Sequence, residues 1–276
     1  MSWEMIASIF GQIGAIIFTV LPYVIAAGLI FPMLTVRFAC NPGGPWWKRR
    51  DLATDLCYWF IVPIFTVYLR FALLVTGMVL LFGIDDSESI NNFFTAGRGP
   101  LAAWPFWAQL LFYLIVSDFL LYWIHRIFHG ASMWKYHAVH HSSETVDWIS
   151  AARFHPVNLA LGTILVDIGM LLVGVPPTVL GVLAPFVGFM SAFVHANLNW
   201  TLGPFKYVLV SPVFHRWHHT APDRGGSKNF AVNFPVLDLV FGTFHMPEGE
   251  LPSDYGIDDP AFPRGFGAQL VYPFKQ

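Results

Sequence analysis

Histidine is absent from residues 1–124 and then occurs eleven times, nine of them in four tight groups: His125/His129, His137/His140/His141, His195, and His215/His218/His219. Spacings of three and four turn side chains to one face of a helix. Neutral imidazole is the commonest metal ligand, and nine exceed what one ion takes, so the set reads as a two-metal site. One pair such as His125/His129 reads equally well as a helix end meeting lipid headgroups. Two HxxHH runs together with that pair outweigh this reading. Each HxxHH run offers two imidazoles on one face and a third beside them, which suits ligands reaching toward two different ions. Imidazole serves iron, zinc and copper alike, so these residues do not name the metal. A zinc hydrolase needs an open ion and a general base, and no HExxH supplies one. There is also no GxGxxG fingerprint, Walker loop or cysteine-rich iron–sulfur run, so electrons for redox chemistry must come from a separate partner.

The rest of the chain has to position these groups. It is 55% hydrophobic and 12% charged, with a mean hydropathy of +0.56, the composition of a membrane protein. No charge lies between Glu4 and Arg37, a run longer than the roughly 20 residues a spanning helix needs. Pro22 could kink it. The absence of a basic n-region and the length of the run argue against a cleaved signal peptide. Further apolar stretches occupy about 56–82, 101–124, 157–174 and 177–198, the last two separated only by Pro176-Pro177, as in a tight hairpin. The literal count is five crossings, or four if the first span or the hairpin is re-entrant. Arg37, Lys48, Arg49 and Arg50 follow the first span, whereas Asp85, Asp86 and Glu88 with only Arg98 follow the second. The first loop is therefore expected in the cytoplasm. Threading onward puts all four histidine groups on that same side. The expected fold is an all-α integral membrane protein of four or five transmembrane helices, with a cytoplasmic histidine-rich helical cap holding a dinuclear metal site.

With those elements in order, the chain resembles the fatty acid hydroxylase superfamily of integral-membrane di-iron enzymes, in particular its sterol desaturase-like branch. The matching segments are HRIFH at 125–129, HAVHH at 137–141 followed by Ser-Ser-Glu, RFHP at 153–156, HAN at 195–197, HRWHH at 215–219, and Asp238-Leu-Val-Phe-Gly-Thr-Phe244. They extend over about residues 115–246. The resemblance implies two iron ions, which zinc can replace on purification, held by His125, His129, His137, His140, His141, His195, His215, His218 and His219. It further implies O2 activation, a lipid substrate, and electrons from a ferredoxin or a cytochrome with its reductase. Hydroxylation, desaturation and ether cleavage all remain open, as do sterol, fatty acyl, carotenoid, alkylglycerol and aminolipid substrates. Some members carry a second histidine four residues after the isolated one, where this chain has Asn199. An amide there could hold a metal-bound water and leave one ion less saturated, and His155 becomes the candidate for a tenth nitrogen ligand.

Other residues carry competing readings. His155 can equally cap the helix that follows Pro156 or meet Arg153. Asp118, two turns before His125, can orient an imidazole through its free N–H or merely mark a polar span end. His245 is expected at the surface. Arg70 and Asp167 lie in apolar stretches, where charge is costly; neither shows a partner, and neither is assigned to chemistry. The abundant tryptophans read as belt and core, with span-end aromatics a possible lining for a lipid entry slot. Cys40 and Cys57 offer no disulfide framework. A net charge of −2 without a basic tract argues against nucleic acid. The expected organisation is N-terminal spans over 1–110, a catalytic region over 111–246 and a tail over 247–276. The expected activity is an O2-dependent di-iron lipid hydroxylase or desaturase. The alternatives are a zinc-dependent membrane lipid hydrolase and a membrane metal-binding or transport protein.

Overall fold

Long apolar runs must satisfy their backbone groups internally, and helices result. The computed structural model describes the backbone of residues 3–275 and the side chains of residues 11–275. Apart from a single turn at Gly99–Ala102, its α-helices are α1 (Trp3–Phe38), α2 (Leu52–Phe82), α3 (Ser87–Ala96), α4 (Phe106–Phe128), α5 (Ala131–His141), α6 (Pro156–Leu172), α7 (Pro177–His195), α8 (Pro212–His218), α9 (Val236–Val240) and α10 (Phe266–Val271). Among the described residues β-pairing is confined to two isolated bridges, Ala39 with Leu198 and Thr220 with Tyr255.

Four helices, α1, α2, α4 and α7, are long and apolar enough to cross a membrane. Their outer faces carry bare hydrocarbon: Val36 is 90% exposed, Leu80 77% and Phe18 75%. Surface of that kind is stable only against lipid. Pro22 and Pro32 lie within α1 without ending it. The fourth apolar stretch becomes α6, a shorter helix broken by a π-helical turn at Ala160–Ile164, where Gly162 leaves helical geometry. At about 1.5 Å per residue it extends roughly 25 Å, short of the roughly 30 Å hydrocarbon core. α6 and α7 follow one another across a short turn and meet α4 in one apolar cluster that includes Tyr113, Val166, Met170, Val179 and Leu183. Gly174, at φ 113°, lets this turn pack against the loop at Arg98: a Cβ there would lie 1.9 Å from the Arg98 carbonyl oxygen.

One end of the bundle gathers the polar contacts that tie the spans to the histidine-bearing segments. The end of α1 is tied to the segment after α7 by Asn199 N–H donating to the Phe38 carbonyl at 2.8 Å. The start of α2 is tied to the 148–152 turn by Trp59 Nε1 donating to the Ile149 carbonyl at 2.8 Å, and by Arg153 Nε on Asp55 at 2.8 Å. A cluster including Tyr122, Trp148, Ile149, Leu198, Phe214 and Phe230 fills the cap beneath these contacts. The C-terminal segment closes the same end, with Phe266 of α10 packed edge-on against Tyr58 and Gln269 accepting from the Tyr58 hydroxyl.

Arg70 and Asp167 do have a partner, namely each other. Arg70 Nη2 of α2 lies 2.8 Å from Asp167 of α6, and the Tyr113 hydroxyl of α4 donates to the same carboxylate at 2.5 Å. Residues 97 positions apart reveal no such pairing in a linear reading, yet in hydrocarbon each ion requires it. Leaving one of them alone is worse than removing both. Asp167→Leu is therefore expected to destabilise the protein in detergent by about 1–2 kcal/mol, a figure reduced for the half-exposed Arg70. The Arg70→Leu/Asp167→Leu double variant should recover part of that loss, as thermal unfolding will register.

Candidate metal centre

Imidazoles four residues apart on one helix stack on adjacent turns, and the fold uses this three times. His125 and His129 end α4, His137 and His141 end α5, and His215 and His219 close α8. α5 follows α4 directly after Gly130, while Ser211 caps α8 by accepting from Phe214 N–H at 3.1 Å, with Pro212 in its first turn. The nine nitrogens fall into two neighbouring sets. One is His125, His129, His137, His141 and His218; the other is His140, His195, His215 and His219, and within each the donor atoms lie within 4.8 Å of one another. The two HxxHH runs contribute in mirrored fashion. α5 gives two imidazoles to the first set and one to the second, and α8 gives one and two.

The Nε2 atoms approach closely. In the first set His125–His137 and His141–His218 are 3.1 Å apart, and His137–His141 and His129–His218 are 3.2 Å apart. In the second set the separations are 3.0 Å for His195–His215, 3.1 Å for His215–His219, and 3.2 Å for His195–His140 and His195–His219. Hydrogen bonding between the rings cannot explain all of these, because the outer nitrogens fix several tautomers. Nδ1 faces the Phe230 carbonyl in His125 (2.8 Å), Asn158 Oδ1 in His137 (2.7 Å), the Arg153 carbonyl in His140 (3.2 Å), the Ser191 carbonyl in His195 (2.7 Å) and the Lys228 carbonyl in His218 (2.7 Å). A nitrogen facing such an oxygen must donate, which leaves Nε2 as a bare lone pair. His125 faces His137, and His140 faces His195, lone pair to lone pair. A cation between them turns that repulsion into ligation. Two nitrogens about 2.1 Å from one ion and at right angles would be about 3.0 Å apart, close to the spacing seen.

Burial reinforces this state. Loss of solvation pushes the His129, His137, His140, His141, His215, His218 and His219 imidazoles well below the usual histidine range, and neighbouring imidazoles push them further the same way. The rings stay neutral and available to a metal. Aromatic side chains wall the sets: Phe154 stacks on His140 at 4.0 Å, Trp134 lies 5.2 Å from His141, and Phe230 lies 5.1 Å from His129.

Three sequence candidates lie outside both sets. Asp118 touches no imidazole; it accepts from the backbone N–H groups of Asn233 at 2.7 Å and Phe234 at 3.0 Å. Asp238 accepts from Phe230 and Ala231 N–H in the same way. Two buried carboxylates thus pin the 228–234 loop, whose Lys228 and Phe230 carbonyls hold His218 and His125, so Asp118 acts one step further from the rings than the sequence suggests. Asn199 is exposed, and its contact is a backbone one with Phe38 at the end of α1. His155 belongs to neither set. Its Nδ1 accepts from Val157 N–H at 3.1 Å, capping α6, and its Nε2 faces the Leu270 carbonyl at 3.1 Å. His245 is half-buried, not a plain surface residue, and packs edge-on against Trp217 at 5.1 Å. Asn158 was missed. The available signal was a polar side chain in the first turn of an apolar stretch.

Residues 110–243 match the family model described as fatty acid hydroxylase. The chain is 33% identical over 174 residues to an ornithine lipid hydroxylase of Rhizobium tropici, covering 63% of this chain and 52% of that protein. It is 27% identical over 226 residues to an alkylglycerol monooxygenase of Caenorhabditis elegans, covering 74% of this chain and 44% of that protein. It is 31% identical over 148 residues to a methylsterol monooxygenase of Arabidopsis thaliana, covering 52% and 55%. The chain thus spans about half the length of the curated relatives it matches. No solved structure matches it.

Asn158 supplies the one side-chain acceptor among the five outer contacts described above. Asn158→Leu removes it without adding charge, and loss of such a partner typically costs about 10–100-fold in metal affinity. Metal content after dialysis against a graded chelator series should fall at correspondingly lower chelator strength, with the helical circular dichroism unchanged.

Proposed function

The chain belongs to the fatty acid hydroxylase superfamily, and on that premise we propose that it is a membrane-bound di-iron oxygenase that hydroxylates or desaturates a lipid, using O2 and electrons from an external donor. The observation that carries this reading is the pair of all-histidine sets with inward-facing lone pairs. We assign His125, His129, His137, His141 and His218 to one ion, and His140, His195, His215 and His219 to the other. Two redox-active ions would supply the oxidising power that an unactivated C–H bond requires, since acid–base and nucleophilic chemistry do not reach it.

The chain's own residues do the rest. Carbonyls of Ser191, Arg153, Lys228 and Phe230, with Asn158, hold the rings in the ligating tautomer. Phe154, Trp134 and Phe230 keep water from the ring faces. The relatives are named for hydroxylation of an ornithine lipid and monooxygenation of an alkylglycerol and a methylsterol. They support a lipid as the substrate here without selecting one. The electron donor is taken to be a ferredoxin or a cytochrome with its reductase. We place the catalytic region at residues 111–246, with membrane spans before it and a closing tail after it. The positive charge of the 37–50 loop, which lies at the same bundle end as the histidines, supports a cytoplasmic site.

The rival readings fit less well. Hydrolysis at a zinc ion calls for a nearby general base, and among the described residues both sets consist of histidine alone, with Asp118 and Asp238 committed to backbone amides. Transport favours ligands deep within spans, whereas these sit at helix ends.

Iron-loaded protein in membranes, given a chemical or ferredoxin reductant and 18O2, is expected to yield lipid carrying one 18O atom, or a desaturated lipid formed only when O2 is present. Equal product under argon would reject the proposal.

A further inference from the structure

A second site lies at the same end of the bundle, outside the histidine sets. A cleft of about 1400 Å³ opens between the last turns of α1, the 41–51 loop, residues 143–147 and the tail at 253–255, and none of the nine histidines lines it. One wall is the lipid-facing surface of α1, where Met33 is 69% exposed and Val36 90%. Trp46 and Trp47 stand beside it in an edge-on pair. Tryptophan at the end of a span marks headgroup depth. The cleft therefore opens where a bilayer presents its polar groups.

Its charges are unequally matched. Every lining carboxylate already faces a cation: Asp51 and Asp55 face Arg153, Asp147 faces Arg49, Glu144 faces Arg264, and Asp254 faces Arg224. Among the described residues, Lys48, Arg50 and Arg216 line the cleft without an ion-pair partner. Lys48 and Arg50 are exposed and cost nothing in that state. Arg216 is only 1% exposed. Its Nη1 donates to the Val146 carbonyl at 2.5 Å and the His195 carbonyl at 3.2 Å, its Nη2 donates to Asn41 Oδ1, and its guanidinium lies over the Tyr255 ring at 4.7 Å. All these acceptors are neutral, and Nε is buried with no partner. A buried guanidinium without a counter-ion is costly, and an anionic oxygen at its unspent N–H satisfies both its charge and its geometry.

We propose that this cleft binds the anionic phosphate headgroup of a membrane lipid, with Arg216 as the buried anchor, Lys48 and Arg50 at the rim, and the acyl chains lying along Met33 and Val36 of α1. The bound headgroup would sit one guanidinium away from the carbonyl of His195, and so beside the metal centre. Binding is read without turnover, so its failure would leave the oxygenase reading untouched.

The test is calorimetric titration of the purified, metal-assayed full chain in detergent with water-soluble dihexanoyl phosphatidylglycerol, dihexanoyl phosphatidylcholine and inorganic phosphate. One saturable site for phosphatidylglycerol is expected, with the other two ligands at least about ten-fold weaker. Arg216→Gln should weaken it by about ten-fold or more, the scale of a lost charge-assisted hydrogen bond. Because Arg216 also braces the cap, Lys48→Gln/Arg50→Gln, confined to the exposed rim, provides an independent arm and should weaken binding about three- to ten-fold. No saturable binding, equal affinity for phosphatidylcholine, inorganic phosphate as tight as the lipid, or a rim variant indistinguishable from wild type would each overturn the proposal.

Discussion

Lone pairs pressed against lone pairs are the constraint around which this molecule is organised. Where Nδ1 of two facing imidazoles is already donating outward, their Nε2 atoms, 3.1 Å apart for His125 and His137, repel unless a cation lies between them. The same holds for His140 and His195. Burial removes the other escape, protonation, by pushing the rings outside the membrane spans well below their usual range. Neutral, buried and oriented, the rings have metal as their natural complement.

Much of the surrounding structure serves to hold that arrangement against its own repulsion. Helix ends supply pairs four residues apart, while the loop carbonyls of Arg153, Lys228 and Phe230 and the helical carbonyl of Ser191 face Nδ1. The 228–234 loop shows the depth of this support. Asp118 reaches it from α4 and Asp238 from α9, so two buried carboxylates are spent on backbone amides in order to fix two carbonyls. Arg153 plays a comparable part, its guanidinium held by Asp55 at the start of α2 while its carbonyl faces His140. The membrane spans are therefore coupled to the ring orientations through named hydrogen bonds, and are not merely an anchor.

The histidine groups were legible in the chain because ligand spacing on helices is a local property, and their shared bundle end was legible because apolar runs and loop charges alternate along the sequence. The partition of the HxxHH runs between two sets was foreseen in kind but not residue by residue, since it depends on the angle at which α5 meets α8. Asp118 was noticed for the wrong contact: seven residues from His125 suggests a shared face, but its carboxylate turns toward a loop 115 residues away. Arg70 and Asp167 looked unpartnered for a similar reason, because their pairing arises only when α2 packs on α6. Asn199 stands where an amide could hold a metal-bound water, and His155 reads either as a tenth ligand or as a cap; only the cap is what the fold forms. The segment after α7 carries Asn199 to the end of α1, and His155 caps the helix that Pro156 begins. Local periodicity carried the first kind of information, and only tertiary packing carries the second.

The most direct measurement is the metal stoichiometry of the purified chain, combined with one substitution in each histidine set. The account predicts two ions per chain, with His218→Ala and His140→Ala each losing one ion and keeping the other. A wild-type protein that binds one ion or none, or variants whose metal content is unchanged, would contradict it.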